Sequence, residues 1–103
     1  MQRFSDKVAL VTGAASGIGR ALATNLAAKG CHLALSDVNE QGLEETANLV
    51  AGKNVKVTTH IVDVANREQV YLYADDVVKQ HGRANIIINN AGVAVGDTIE
   101  DVS

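Results

Sequence analysis

Proline is absent from this 103-residue chain, and cysteine occurs only once. Without proline, and without a stretch rich in serine and glycine, nothing in the sequence marks a linker, so we expect one domain over residues 1–103. The single cysteine, Cys31, cannot form an internal disulfide. It stands at the start of an apolar segment, which favours a buried structural thiol over a nucleophile.

Long apolar runs and clusters of basic residues are also missing. A membrane-spanning helix needs roughly 20 predominantly apolar residues in succession, so we expect no membrane partner. The net charge of −3 and a pI near 5.5 argue against a nucleic-acid partner, which would require a basic surface. No apolar signal-peptide segment follows residues 1–4, and the cytoplasm is therefore the expected location.

The remaining pattern alternates between short apolar segments and longer amphipathic ones, which is typical of a parallel sheet with crossover helices. It predicts strands at about 7–12, 32–37, 55–62 and 85–90, and helices at about 18–29, 40–51 and 67–81. Before the third helix stands Asn66, a candidate N-cap residue with Gln69 three places on. The apolar face of this helix, which is expected to enter the core, consists of Val70, Ala74, Val77 and Val78. Each helix is followed by a glycine suited to a left-handed cap, namely Gly30, Gly52 and Gly82. Right-handed crossovers then predict an α/β fold of the Rossmann type, with strand order 3-2-1-4 and helices on both faces.

The turn between the first strand and the first helix contains the pattern Gly-x-x-x-Gly-x-Gly, at Gly13, Gly17 and Gly19. Unpaired N–H groups and the helix dipole favour an anion at such a position. Gly13 can supply the tight turn, Gly17 lets a diphosphate approach the backbone, and Gly19 allows close packing of the helix. The spacing differs from both Gly-x-Gly-x-x-Gly and a P-loop, and by itself also fits a turn that binds nothing.

Three further groups of residues stand at the predicted carboxyl ends of strands, where ligands bind in such folds. Asp37 ends the second strand, where a carboxylate can accept both hydroxyls of an adenosine ribose and repel a 2′-phosphate. Asp63 follows the third strand, where it can contact adenine or serve only as a turn or cap residue. The fourth strand runs into Asn89-Asn90-Ala91-Gly92, whose small last residues leave room for a ring or ribose.

Taken together, Thr-Gly-x-x-x-Gly-Ile-Gly at residues 12–19 and Asn-Asn-Ala-Gly at residues 89–92, with Asp37 and Asp63-Val64 between them, resemble the short-chain dehydrogenase/reductase family. The resemblance implies that the chain binds NAD, and NADP less well, because Ala15, Ser16 and Val38 stand where NADP-binding members tend to carry a basic residue. It implies the following cofactor-binding residues: Gly13, Ala15, Ser16, Gly17, Ile18, Gly19, Asp37, Val38, Asp63, Val64, Asn90, Ala91 and Gly92.

The same resemblance implies that catalytic residues are absent, because the family's catalytic serine and Tyr-x-x-x-Lys pair follow the Asn-Asn-Ala-Gly motif. Tyr71 and Tyr73 are followed four residues later by Asp75 and Val77, and both are expected to be core or surface aromatics. The three histidines share no metal-ligand spacing, so we expect no metal site. The chain is thus expected to be the dinucleotide-binding half of an oxidoreductase acting on alcohols or carbonyls, truncated after its fourth strand.

Two other interpretations remain open: a nonenzymatic nucleotide-binding or regulatory module, and a methyltransferase-type nucleotide fold. Asn-Asn-Ala-Gly after the fourth strand speaks against the second of these. A chain of this length is also expected to self-associate, either through the edge of its fourth strand, which is apolar at 86–88, or through an uncovered sheet face.

Overall fold

A computed structural model describes residues 4–90 of the chain, and every predicted strand and helix within them is present. The elements are β1 (Val8–Thr12), α1 (Gly17–Ala28), β2 (His32–Asp37), α2 (Glu40–Val50), a 3₁₀ helix (Ala51–Lys53), β3 (Val57–Ile61), α3 (Arg67–His81) and β4 (Ile86–Ile88). The third and fourth strands are shorter than predicted. None of these helices combines the length and apolarity that crossing a membrane requires.

The four strands form one parallel sheet in the order β3-β2-β1-β4, as the sequence predicts. Val11 of β1 lies opposite Leu35 of β2 on one side and Ile88 of β4 on the other. Because the strands are parallel, their carboxyl ends meet at one edge of the sheet. The turn after β1 and the segments after β2, β3 and β4 are therefore brought together there.

Alternate residues of the central strands enter two separate cores. Ala9 and Val11 of β1 belong to the core beneath α1 and α2, together with Leu33 and Leu35 of β2. Val8 and Leu10 face the opposite side and belong to the core beneath α3. The crossover helices thus cover both faces, two on one side and one on the other, as right-handed connections require.

The prediction that a glycine in the left-handed conformation follows each helix is confirmed for two helices and wrong for the third. Gly30 and Gly82 have φ values of +84° and +85° and end α1 and α3 in the left-handed region. Gly52 does not have a positive φ, because the chain continues past α2 as a 3₁₀ helix. Asn54, at φ +68°, is the left-handed residue that ends this helix, a conformation that asparagine tolerates well.

The buried face of α3 differs from the face that the apolar pattern predicts. Val77 is buried, but Val78 is 49% exposed, and Tyr73 takes the central position with 4% exposure. The Tyr73 hydroxyl donates to the Ala34 carbonyl oxygen at 2.6 Å, which satisfies its polar group inside the core. Packing of the large Tyr73 ring against the small Ala34 therefore decides which face of α3 is turned toward the core.

The amino end of α3 has the predicted asparagine cap, with one difference. The Asn66 side chain accepts from the Gln69 backbone N–H at 3.1 Å. The Gln69 side chain does not return to Asn66, as it does in a capping box, but accepts from the Asp63 backbone N–H at 2.8 Å. This contact ties α3 to the segment that follows β3.

Two histidines share one hydroxyl at the outer side of the sheet. The Thr58 Oγ1 lies 2.8 Å from Nε2 of both His60 and His81. Burial lowers the pKa of His60, although the Asp76 carboxylate opposes this shift. Burial also lowers the pKa of His81, and the positive charges of Lys56, His32 and His60 act in the same direction.

The stability of the fold should consequently decrease on mild acidification. Since the folded-state pKa values of His60 and His81 lie below the ordinary value of about 6.5, the unfolded chain binds more protons once the pH falls below it. Their contribution to stability is complete above about pH 6.5 and is lost below it. Thermal unfolding between pH 7.5 and 5.5 should show a falling Tm, with a shallower slope for His81→Gln, whereas a Tm that rises on acidification would contradict this assignment.

Candidate functional site

A cleft of about 410 Å³ lies at the carboxyl edge of the sheet. Seven of the residues predicted from the sequence line it, and Val62, at the end of β3, was not predicted. The lining residues come from the segments that follow the four strands and are Gly13, Ser16, Asp37, Val38, Val62, Asp63, Val64 and Asn90. The volume lies within the range of small-molecule and cofactor sites.

The glycine turn has the backbone conformations that its residues predict. Gly13 and Gly17 have φ values of +64° and +58°, which side-chain-bearing residues rarely adopt. An ideal Cβ at Gly17 would meet no atom within 4 Å, so the space beside this glycine is open. A Cβ at Gly19 would lie 1.9 Å from the Gly13 carbonyl oxygen, so the first turn of α1 packs directly on the backbone of the glycine turn.

The amino end of α1 carries the electrostatic character that suits an anion. Ser16 is the N-cap residue and has extended backbone, but its side chain makes no capping hydrogen bond. The Ser16 side chain therefore offers no acceptor to the first N–H groups of the helix, and no acidic residue lies in the first turn. Ser16, Gly17 and Ile18 are exposed, whereas Gly19 is buried.

Asp37 lies at the end of β2 and accepts hydrogen bonds from the backbone of the turns that follow β1 and β2. Its Oδ2 accepts from the Ala15 N–H at 3.0 Å, and its Oδ1 accepts from the Asn39 N–H at 3.0 Å. The carboxylate is only partly buried and lines the cleft. Its remaining lone pairs leave it able to accept further hydrogen bonds from a ligand hydroxyl.

Asp63 is a turn residue that also lines the cleft, and its contact with adenine stays a prediction. Its Oδ1 accepts from the Ala65 N–H at 3.0 Å, which forms an Asx turn. Its carbonyl oxygen accepts from the Asn66 N–H at the start of α3. Val64, the next residue, is half-buried and lines the same cleft.

The segment after β4 is tied to β1 through Thr12. The Thr12 hydroxyl donates to the Asn89 Oδ1 at 3.0 Å, and the Thr12 Oγ1 accepts from the Asn90 N–H at 2.8 Å. This places Asn90 on the cleft wall opposite Asp37. The predicted residues Ala91 and Gly92 lie outside the described part of the chain.

Comparison with known proteins agrees with this geometry. The sequence model of the family described as short chain dehydrogenase matches residues 7–103. The chain belongs to the short-chain dehydrogenase family.

Individual members of the family are similar to this chain over most of its length. SadH of Mycobacterium tuberculosis is 46% identical over 100 residues, which cover 97% of this chain and 36% of that protein. Levodione reductase of Leifsonia aquatica is 42% identical over 93 residues, which cover 88% of this chain and 35% of that protein. The crystal structure of NAD⁺-bound xylitol dehydrogenase matches with a TM-score of 0.84 and 40% identity, covering 88% of this chain and 35% of that one. The crystal structure of carveol dehydrogenase from Mycobacterium avium in complex with NAD matches with a TM-score of 0.84 and 35% identity. The match covers 90% of this chain and 38% of that one.

This short-chain dehydrogenase chain thus spans about a third of the length of the relatives it matches. Its α/β fold with strand order 3-2-1-4 is the fold that those structures share with it. The two structures contain NAD, so the cofactor of these relatives is a nicotinamide dinucleotide.

Two residues that contact the glycine turn were not predicted. The Arg20 side chain donates to the Ala15 carbonyl oxygen at 2.6 Å and to the Gly42 carbonyl oxygen at 3.0 Å. The buried Thr46 hydroxyl donates to the Ala14 carbonyl oxygen at 2.7 Å. Thr46 carries no sequence signal, because only the packing of α2 beside α1 brings it to the turn.

The tyrosines and the cysteine of this short-chain dehydrogenase do not line the cleft. Tyr71 is exposed on α3, while Tyr73 is buried in the core, and burial raises the pKa of its hydroxyl. Cys31 is fully buried, as predicted, and burial raises the pKa of its thiol to about 11. Between residues 4 and 90, no three His, Cys, Asp or Glu side chains are grouped to hold a metal ion.

Proposed function

We propose that the cleft binds NAD(H) and that the chain is the dinucleotide-binding part of an oxidoreductase acting on alcohols or carbonyls. The observation that carries this proposal is the convergence of the glycine turn, Asp37, Asp63 and Asn90 on one cleft. Membership of the short-chain dehydrogenase family and the NAD-containing structures of relatives support it.

Each part of the cleft suits one part of the dinucleotide. The diphosphate would lie against the exposed N–H groups at Ser16 and Gly17, where the open space beside Gly17 admits it. The adenosine ribose would donate its hydroxyls to Asp37. Adenine would lie beside Asp63 and Val64, with Val38 on its other side.

The nicotinamide half would extend toward the end of β4. We assign Asn90, Ala91 and Gly92 to the ribose on this side, by their position after β4 and by their resemblance to the family motif. The nicotinamide supplies the hydride donor or acceptor. Hydride transfer to a carbonyl also requires a proton donor at the substrate oxygen, and no Tyr-x-x-x-Lys sequence is present to provide one.

Cofactor binding without turnover is therefore the expected behaviour of this chain. Calorimetric titration with NADH should give saturable binding, and incubation of the same sample with NADH and carbonyl substrates should give no steady oxidation of NADH. Absence of NADH binding would contradict the proposed function. Turnover that survives repurification and is abolished by Tyr71→Phe would show that catalysis does not need the missing pair.

A nonenzymatic nucleotide-binding module is the alternative, since the residues that line the described cleft suit a nucleotide and include no tyrosine or lysine. The two proposals differ in which nucleotide binds. An oxidoreductase requires selectivity for the dinucleotide, whereas a module that reads only the adenosine part should bind ADP as tightly as NADH. Titration with ADP alongside NADH distinguishes them.

We propose that this chain also self-associates through the end of the sheet that β4 forms. β4 pairs only with β1 among the described residues, and a small apolar groove containing Val70 and Ile87 lies between α3 and the sheet. An apolar strand edge and an open sheet face both favour pairing with a second copy. Light scattering over a dilution series should show a mass that rises with concentration.

The position of the contact can be tested with two matched lysine substitutions. Ile87→Lys places a charge at the β4 groove, whereas Thr59→Lys places it on the exposed opposite edge, β3. Only the first should lower the apparent mass. A monomer at high concentration, or equal effects of the two variants, would contradict association through β4.

A further inference from the structure

We propose that Arg20 and Thr46 are positioning residues that hold the backbone of the glycine turn so that the Ser16 N–H faces the cofactor diphosphate. This inference rests on the proposed function, because it assumes that a diphosphate binds there. The two side chains form a clamp, by which we mean the hydrogen bonds from Arg20 and Thr46 to the carbonyl groups of Ala14 and Ala15.

The clamp connects the turn to α2. The Arg20 Nη2 donates to Ala15 O at 2.6 Å and to Gly42 O at 3.0 Å, while its Nε donates to Thr46 Oγ1 at 2.8 Å. Thr46 is fully buried and donates onward to Ala14 O at 2.7 Å. Arg20 also pairs with the exposed Glu45 carboxylate at 3.2 Å. Two consecutive carbonyl groups of the turn are therefore held by side chains from two different helices.

Because the peptide bond is planar, the direction of a held carbonyl group also fixes the direction of the N–H group of the next residue. In a trans peptide the carbonyl of one residue and the N–H of the next point in opposite directions. With the Ala15 carbonyl held toward Arg20, the Ser16 N–H must point away from the Arg20 side chain. With the Ala14 carbonyl held toward Thr46, the Ala15 N–H points to the other side, where Asp37 Oδ2 accepts it at 3.0 Å.

The backbone on the opposite side of the turn is fixed as well. The Ala14 N–H donates to the Ser36 carbonyl oxygen at 3.0 Å, and an ideal Cβ at Gly42 would lie 2.9 Å from Ala15 atoms. The turn is thus held between β2, α1 and α2. Preorganised N–H donors bind an anion without a cost of reorientation at the moment of binding, which is the advantage that the clamp provides.

Arg20→Met and Thr46→Val each remove one member of the clamp, and the second does so without changing the net charge. Lys53→Met is the matched control, since it removes a positive charge from the 3₁₀ helix instead. The ligands compared are ADP-ribose, which contains a diphosphate, and adenosine, which does not. NMR titration reports their affinities, and amide hydrogen exchange without ligand reports the turn itself.

Both clamp variants should weaken ADP-ribose binding by about tenfold while changing adenosine binding less than about twofold. Amide exchange at Ala14 and Ala15 should accelerate by about tenfold, with Leu10 in β1 unchanged. Lys53→Met should alter neither the two ligand affinities nor the amide exchange. Equal weakening of both ligands would indicate a general structural role and overturn the proposal.

If the clamp variants leave amide exchange at Ala14 and Ala15 unchanged while nucleotide binding is intact, the role of the clamp is overturned and the proposed function is not. A wild-type chain that binds neither NADH nor ADP-ribose would overturn the proposed function, and the positioning role with it. The exchange measurement needs no nucleotide, so these two failures are distinguishable.

Discussion

NADH should bind this chain at least about tenfold more tightly than NADPH, because the 2′-phosphate of NADPH would meet the Asp37 carboxylate in a partly buried cleft. The repulsion between these two negative charges should weaken the binding free energy of NADPH by about 1–2 kcal/mol. No basic side chain lines the described cleft to offset this repulsion. Calorimetric titration with both reduced cofactors measures the ratio directly.

Asp37→Asn is the decisive variant for this preference. It removes the charge and retains one oxygen, which can still accept from the Ala15 N–H of the glycine turn. The hydrogen bond from the Asn39 N–H is lost, because the amide nitrogen of asparagine cannot accept. The ratio of the two affinities should fall to about threefold or less, mainly through tighter NADPH binding. The control variant Asp63→Asn changes another carboxylate of the cleft and should change both affinities by a similar factor. Equal affinity of wild type for the two cofactors would remove Asp37 from this role.

Gly19→Ala should destabilise the fold by about 3 kcal/mol and weaken NADH binding at the same time. The added methyl group would lie 1.9 Å from the Gly13 carbonyl oxygen and 2.7 Å from its carbonyl carbon. Both are backbone atoms, so no side-chain rotation relieves the clash and the glycine turn must move. A loss of this size lowers the Tm of a domain of this length by roughly 12–24 °C.

Gly52→Ala is the matched control for that experiment. Gly52 is exposed, has no atom within 4 Å of an added Cβ, and does not have a positive φ. The same chemical change should therefore leave the Tm within a few degrees of wild type, since alanine is the better helix former. Comparable losses of stability in the two variants would show that the contact between α1 and the glycine turn is not the cause.

The sequence predicts the fold well because its signals are local. Short strand segments, helices with apolar periodicity and the caps at Asn66, Gly30 and Gly82 each depend on neighbours along the chain. The right-handed crossover rule then leaves one order for the four strands. The glycines of the β1–α1 turn also carry their conformation in the sequence, because a positive φ at Gly13 and Gly17 disfavours other residues.

The wrong predictions concern positions where local signals compete. Gly52 fits a helix cap, yet Asn54 takes the left-handed conformation two residues later. Val78 fits the apolar face of α3, yet Tyr73 is buried instead, since its ring fills the space above Ala34 and its hydroxyl finds an acceptor there. Choosing between such alternatives requires the shape of the surface against which the helix packs.

By itself the sequence determined the order and type of the elements, the conformation of the glycine turn and the presence of carboxylates and amides at the ends of β2, β3 and β4. Only the tertiary structure decided that these residues share one cleft and that Arg20 and Thr46 hold the turn. Thr46 is 32 residues from Ala14 along the chain. A contact over that separation leaves no periodic or neighbouring signal, because it exists only after α2 has packed beside α1.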